Sequence, residues 1–333
     1  MAETSQAVRF VWWNVESFAH FDANRAGEKQ WPLVPEAYSA KCDRIDRVLT
    51  DLFGSDPPEL LALAEVTHRA ATDLRDRLLP EYDVFSLDQF PRAQLQVAFL
   101  HKRSTGFEPQ PPLVVPEVPR GTRPMAVIDI VASNHRIRFI GCHWTARFEE
   151  ESGDTRSDTA RFLNSEIFRF LKDSSDEGRH VIIVGDLNEE PFGLALRRLH
   201  AYRDRATALR RAHYTDQDTK RIRLYNCSWR YLGERHPHGG AAGDISTAGT
   251  YFWKKNGRWS TPDQIIVTGT MLTGIEPFLD ETGVRVLAPD TVLEGRPYPM
   301  KFDWNNGEPK GISDHLPVSG RVILRRGDPN ANL

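Results

Sequence analysis

Apolar and polar residues alternate along this chain in two distinct rhythms, one of period two and one near 3.6. Val8 to Val15 reads as a first strand. A polar stretch with Asp22, Asn24, Gly27 and Pro32 reads as a long loop. Tyr38 to Phe53 is helical, with Ile45, Val48, Leu49 and Leu52 on one stripe. Leu60 to Val66 is a continuous apolar run of strand length, and Arg69 to Leu79 is a second helix. Gln94 to His101 alternates as a strand. Six prolines crowd Phe107 to Pro124, which limits that stretch to a loop or a sheet edge. Strand patterns resume at Met125 to Val131 and Arg136 to His143. A helix over Thr155 to Leu171, a strand over His180 to Leu187 and a short helix over Phe192 to Leu199 follow. Thr250 to Trp253, Gln264 to Thr268 and Leu316 to Leu324 are the last strands.

Neighbouring strands suited to antiparallel pairing are mixed with strands separated by helices. That order fits two mixed sheets packed face to face with helices outside, an α/β fold, better than a doubly wound parallel sheet. The 333 residues can bury a large core. No composition break divides them, so we expect one domain over residues 1–325 and a tail over 326–333. Hydrophobic residues at 40% and charged residues at 27% are globular values. No apolar run is long enough to span a membrane. The N-terminus has no secretory pattern, and Cys42, Cys142 and Cys227 are scattered and odd in number. A cytoplasmic protein with free thiols is the expectation.

The net charge of −3 excludes a global electrostatic footprint for nucleic acid. The distribution is uneven, however: Arg197 to Arg235 holds eleven Lys/Arg against four Asp/Glu. Tyr202, Tyr214, Tyr225, Trp229 and Tyr231 interleave with those charges.

Five segments carry candidate chemistry. Val181-Ile182-Ile183-Val184 drives a strand into the core, Gly185 allows a close approach, and Asp186 and Asn188 follow two residues apart. On an extended backbone they point to one side and can hold a water and a phosphate oxygen; in a turn they would bond local backbone instead. Ser313-Asp314-His315 leads into an apolar strand and joins a carboxylate to an imidazole suited to work near neutral pH. Asp263, at another strand start, is a candidate to orient that ring. Asn14 and Glu16 share a side at the end of the first strand. Glu65 is ionisable within an apolar run, a costly placement unless it is paired or binds a cation. His143 and Arg147 could both contact phosphate. These carboxylates and amides suit a hard cation, Mg²⁺ or Mn²⁺, better than zinc.

In identity and order, Trp13-Asn14-Val15-Glu16, Ala64-Glu65-Val66, His143, Gly185-Asp186-Leu187-Asn188, Asp263-Gln264 and Ser313-Asp314-His315 resemble the endonuclease/exonuclease/phosphatase (DNase I-like) superfamily. Bacterial members are similar in particular at Trp13 to Ser17, Cys142 to Arg147 and Gly249 to Ile265. The resemblance implies a four-layer α/β/β/α sandwich. It implies Glu65 as principal metal ligand, with Asn14, Glu16 and Asp314 completing or supporting the site. It implies His315, oriented by Asp263, as general base or electrostatic partner of the phosphoryl group. Asp186 would position or deprotonate the attacking water, and Asn188 and His143 would donate to phosphate oxygens. Whether Asp186 or His315 takes the proton stays open.

The expected activity is hydrolysis of DNA or RNA phosphodiesters, with nucleic acid as partner and substrate contacts at Arg147, Arg221, Arg223 and Trp253. A phosphomonoesterase or inositol/phospholipid phosphatase on the same core is the alternative, and a catalytically inactive binding module is a third. The stretch Leu209 to Gly243 matches nothing in the family pattern, so the substrate is the least defined part of the reading.

Overall fold

The structure, a computed structural model, describes residues 5–23, 34–87, 95–115, 123–146, 152–173, 178–212, 221–233, 247–305 and 307–325. Arg147, the expected tail over 326–333, and Tyr214, Lys220 and Arg235 of the basic segment lie outside the described residues.

Eighteen strands are present among the described residues. The first eight are β1 (Ser5–Phe18), β2 (Leu60–Val66), β3 (Tyr82–Ser86), β4 (Gln96–Lys102), β5 (Phe107–Leu113), β6 (Met125–Ala132), β7 (His135–His143) and β8 (Gly178–Asp186). Then come β9 (Ala201–Tyr202), β10 (Leu224–Asn226), β11 (Tyr251–Trp253), β12 (Arg258–Ser260) and β13 (Asp263–Thr268). The last are β14 (Phe278–Leu279), β15 (Arg285–Val286), β16 (Asp303–Asn305), β17 (Glu308–Lys310) and β18 (Val318–Arg325). One sheet runs β14-β18-β1-β2-β4-β3, with β15 also on β18; the other runs β5-β6-β7-β8-β13-β10-β9. Both are mixed: β1–β2 and β7–β8 are parallel, while β1–β18 and β8–β13 are antiparallel. The proline-rich Phe107–Leu113 is a strand at the sheet edge, where a missing N–H costs no ladder bond.

Strand alternation builds the layers. Val8, Phe10 and Trp12 of β1 face the second sheet and pack with Ile128, Phe139, Ile182 and Ile265. Val11, Trp13 and Val15 face the other way, against α1 (Pro35–Phe53) and α2 (His68–Leu78) through Ile45, Val48 and Leu74. On the far side, Val127, Ile140, Val181 and Ile183 meet Ala160, Leu163 and Ile167 of α3 (Ser152–Lys172). The result is helix, sheet, sheet, helix: the four-layer DNase I-like sandwich. No helix among the described residues is long and apolar enough to cross a membrane.

Simple alternation fails where β1 and β2 end. Pairing shifts between Asn14 and Phe18 and again between Leu63 and Val66. Within those irregularities Glu16, Ser17 and Glu65 have φ of 47°, 48° and 59°. Asn188, after β8, has φ of 47°. Left-handed backbone costs a non-glycine residue roughly 1–2 kcal/mol, and such bulges re-aim side chains beside functional sites. Asn14 and Glu16 are therefore placed by a bulge and not by plain extended spacing. Asp186 and Asn188 likewise sit in a turn, with the Asn188 N–H donating to Asp186 Oδ1 at 2.9 Å.

Candidate active site

Backbone pairing brings the candidate residues to one rim of the sandwich. Asp263, which opens β13, is paired with Asp186, which closes β8, and Asp186 with His143, which closes β7. Across the sheet interface lie the ends of β1 and β2 and the segment leading into β18. The cleft between them is lined by Glu16, Glu65, His143, Asp186, Asn188, Trp253, Asp314 and His315, among others. Both sheets therefore contribute.

Hydrogen bonds lock the geometry. His315 Nδ1 lies 2.7 Å from Asp263 Oδ2, which also accepts the Thr250 hydroxyl at 2.7 Å. Asp263 Oδ1 accepts the indole N–H of Trp12 at 2.9 Å, a bond that crosses from one sheet to the other. Trp13 donates its indole N–H to the His315 carbonyl at 3.0 Å, and the Ser313 hydroxyl to that of Asn14 at 2.6 Å. His315 Nε2 is then left 3.8 Å from Asp186 Oδ2. Asn14 Nδ2 donates to the same Asp186 oxygen at 3.0 Å and to Glu65 Oε1 at 3.3 Å. Asn188 Nδ2 is turned onto the Trp144 carbonyl at 2.9 Å.

The electrostatics separate the two imidazoles. Burial pushes His315 down, but the carboxylates of Asp263 and Asp186 outweigh it and raise the ring to about 10. Its Nδ1–H is thus a donor to Asp263, and the ring is cationic at neutral pH. Burial and the Arg123 guanidinium hold His143 down at about 4, so it is neutral there. Burial raises Glu65, yet His143, the Ser17 N–H and Arg123 together hold it at about 2. The Ser17 N–H reaches Glu65 Oε2 at 3.0 Å. Burial raises Asp186, with Asp263 adding to it against the pull of His315. Glu16 is raised too, by burial and then by Asp314 and Glu65 against Lys41 and Lys301.

Among the described residues one grouping has ligand atoms close enough together to share a cation, and three further carboxylates line the cleft. Asp186, Asp263 and His315 offer ligand atoms within 4.8 Å of one another. Each Asp263 oxygen is already bonded, however, and His315 is protonated toward Asp263, so this group is a hydrogen-bond relay with little left for a metal. Glu16, Glu65 and Asp314 face the open cleft. Lys301 Nζ rests 3.4 Å from Asp314 and 3.8 Å from Glu16, an ammonium already drawn to that acidic wall. Carboxylate oxygens are the donor type that a hard divalent cation takes.

The structure gathers Asn14, Glu16, Glu65, His143, Asp186, Asn188, Trp253, Asp263, Asp314 and His315 around this cleft. Arg221 and Arg223 do not line it. Arg221 lies 3.4 Å from His200 Nε2, and Arg223 stacks over Tyr202 at 4.3 Å, both at the edge strand β9. Sequence reasoning missed Arg123, Tyr251, Arg258 and Lys301, which also line the cleft. The first lies in the proline-rich stretch and the last in a loop, where no periodicity marks them. It also missed Lys41, for which a signal existed: a lysine on the apolar stripe Tyr38, Cys42, Ile45, Leu49.

Fold and cleft together define a DNase I-like phosphoesterase core. The chain belongs to the endonuclease/exonuclease/phosphatase family, whose model matches residues 20–227. The fold is similar to that of a humanized zebrafish (D. rerio) TDP2, 13% identical with a TM-score of 0.56 over 95% of this chain and 98% of that one. It is also similar to D. rerio TDP2 complexed with a single-strand DNA product, at 12% identity and a TM-score of 0.52, covering 95% and 98% of the two chains. A mannosyl-6-phosphatase from Bacteroides thetaiotaomicron is 12% identical with a TM-score of 0.55, covering 95% of this chain and all 100% of its own. No curated protein matches the chain.

Proposed function

We propose that the chain is a divalent-metal-dependent phosphodiesterase that hydrolyses DNA or RNA by in-line attack of water. The observation that carries the reading is the bonded set Asp263–His315–Asp186, whose His315 and Asp186 line one cleft with Glu65, Glu16 and Asp314. A cation bound by those three, Mg²⁺ or Mn²⁺, would supply positive charge to the phosphoryl oxygens. Asp186 is the better base. Its carboxyl is raised from the ordinary value, and Asn14 and the Asn188 N–H hold it in place. His315, cationic at neutral pH, cannot accept a proton there and instead stabilises the developing charge from Nε2. His143 supplies a further donor toward phosphate, while the Asn188 amide fixes the turn after β8 through the Trp144 carbonyl.

A polynucleotide substrate is favoured by what the basic segment does. Arg205 and Arg230 are engaged with Glu281. Arg203 stacks on Trp229 and Arg223 on Tyr202, at 5.4 and 4.3 Å, and exposed Phe192 lies 6.2 Å from Trp229. Stacked rings edged with guanidinium groups suit bases and phosphates of a single strand. The similarity to TDP2 solved with a single-strand DNA product agrees. Arg123 favours the second reading, a phosphomonoesterase: it lines the cleft, and its buried Nη1 has no hydrogen-bond partner among the described residues. A terminal phosphate, with its extra charge, would satisfy that group.

The test is a panel of single- and double-stranded DNA, RNA and small phosphomonoesters with Mg²⁺ or Mn²⁺, using wild type, Asp186→Asn and EDTA controls. Polynucleotide cleavage lost in both controls supports the nuclease. Phosphate release from monoesters with polynucleotides intact moves the assignment to the second reading. No activity on any phosphoester leaves a binding module.

A further inference from the structure

Lys41 is the single charged residue among the buried positions of α1. It is 0% exposed, on a stripe where methionine or leucine would pack without desolvating an amine. Its Nζ–H donates to the carbonyl oxygen of Glu16. Nζ also lies 3.6 Å from Glu16 Oε2 and 5.2 Å from the centre of the Phe302 ring. The other end of that same peptide unit, the Ser17 N–H, donates to Glu65 Oε2 at 3.0 Å. Amine, peptide and carboxylate are thus bonded in series. The peptide is planar, so fixing its carbonyl fixes its N–H, and a bond accepted at one end strengthens the bond donated at the other. Both flanking residues are left-handed, at φ 47° and 48°, a conformation that persists only where surrounding contacts over-determine it. Lys41 and Glu65 are those contacts.

We propose that Lys41 is a positioning residue for the divalent-cation site, acting through the Glu16–Ser17 peptide to orient the Glu65 carboxylate; this rests on Glu65 being a cation ligand, as read above. Lys41 reaches neither the substrate nor the reacting atoms.

The test is Mn²⁺ affinity of the chelator-stripped full chain, read by electron paramagnetic resonance, for wild type and Lys41→Met. The expected result is a Kd raised by about 10–100-fold in the variant, as for loss of a group that orients a metal ligand. The melting temperature of the stripped variant should fall, because Lys41→Met strands the Glu16 carbonyl and carboxylate, so the two Kd values are compared at a temperature where both proteins are folded. An unchanged Kd overturns the relay. So does a tighter one, which is what simple removal of a nearby positive charge would give. Should the variant not fold, the stripped wild type decides. A Ser17 amide proton shifted downfield, protected from exchange, and moved by added Mg²⁺ supports the relay. Exchange as fast as in an open turn overturns it. A wild type that binds no Mn²⁺ removes the cation site itself, and the proposal with it, a result distinct from normal wild-type binding with an indifferent variant.

Discussion

Two histidines within one cleft are set to opposite charge states by what touches them. His315 has a carboxylate at Nδ1 and another facing Nε2, and is raised to about 10; His143 is buried beside a guanidinium and falls to about 4. The first has a measurable signature in stability. A histidine raised above its unfolded value of 6.5 contributes stability that is complete below pH 6.5 and is lost as pH rises through about 10. In EDTA, His315→Asn should therefore cost about 3–5 kcal/mol below pH 6.5, since it strands a buried carboxylate. The gap to wild type should close between pH 6.5 and 10 in denaturant titrations. A gap that widens with pH would refute the assigned charge state. Asp186→Asn should keep Mn²⁺ affinity within a few-fold while turnover falls by about 10²–10⁴, the usual worth of a general base; initial rates at saturating Mn²⁺ check this.

At the scale of elements, the site depends on where strands stop and how closely they approach. A Cβ on Gly185 would stand 2.4 Å from the Cys142 carbonyl oxygen, so β7 and β8 would have to separate just before His143 and Asp186. Gly185→Ala should destabilise by about 1–3 kcal/mol. It should also lower kcat more than KM, measured by thermal unfolding alongside steady-state kinetics. α1 works as a strut at the same scale. Lys41 holds the Glu16 turn, while Arg44 donates to the Pro309 carbonyl at 2.6 Å and pairs with Glu294, which accepts the Gly311 N–H at 3.1 Å. Much of this was legible in the sequence. Apolar periodicity marks β1, β2, β6, β7, β8 and the three long helices, because each buries one face or both. The strand ends that reach the cleft were visible because charged residues close apolar runs. Three features were not legible. Short β9 and β10 carry too few residues for a period. The left-handed bulges at Glu16 and Glu65 arise from pairing between strands far apart in the chain. The cleft residues Arg123 and Lys301 come from loops that only tertiary structure brings near.

For the whole molecule, net charge says little about partners because a basic segment, Arg197 to Arg235, sits in a chain whose remainder is acidic in balance. If Arg203, Arg221 and Arg223 meet a phosphate backbone, changing all three to alanine should flatten the salt dependence of single-strand binding. The log–log slope should fall by about 2, near 0.7 for each phosphate no longer neutralised. Hydrolysis of a small diester should be unchanged, since none of the three lines the cleft. Fluorescence anisotropy at several salt concentrations tests this, and an unchanged slope removes the stripe from the binding surface. The pairing of β1 with β18 has a further consequence. Asn14 shares its strand ladder with residues that leave the ribosome some three hundred positions later, and the Ser313 hydroxyl must arrive to bond the Asn14 carbonyl. The cleft is therefore incomplete in any nascent chain that stops before Ser313. Translation halted short of Asp314 would leave Asp263 without its partner ring and the cleft without Asp314 and His315.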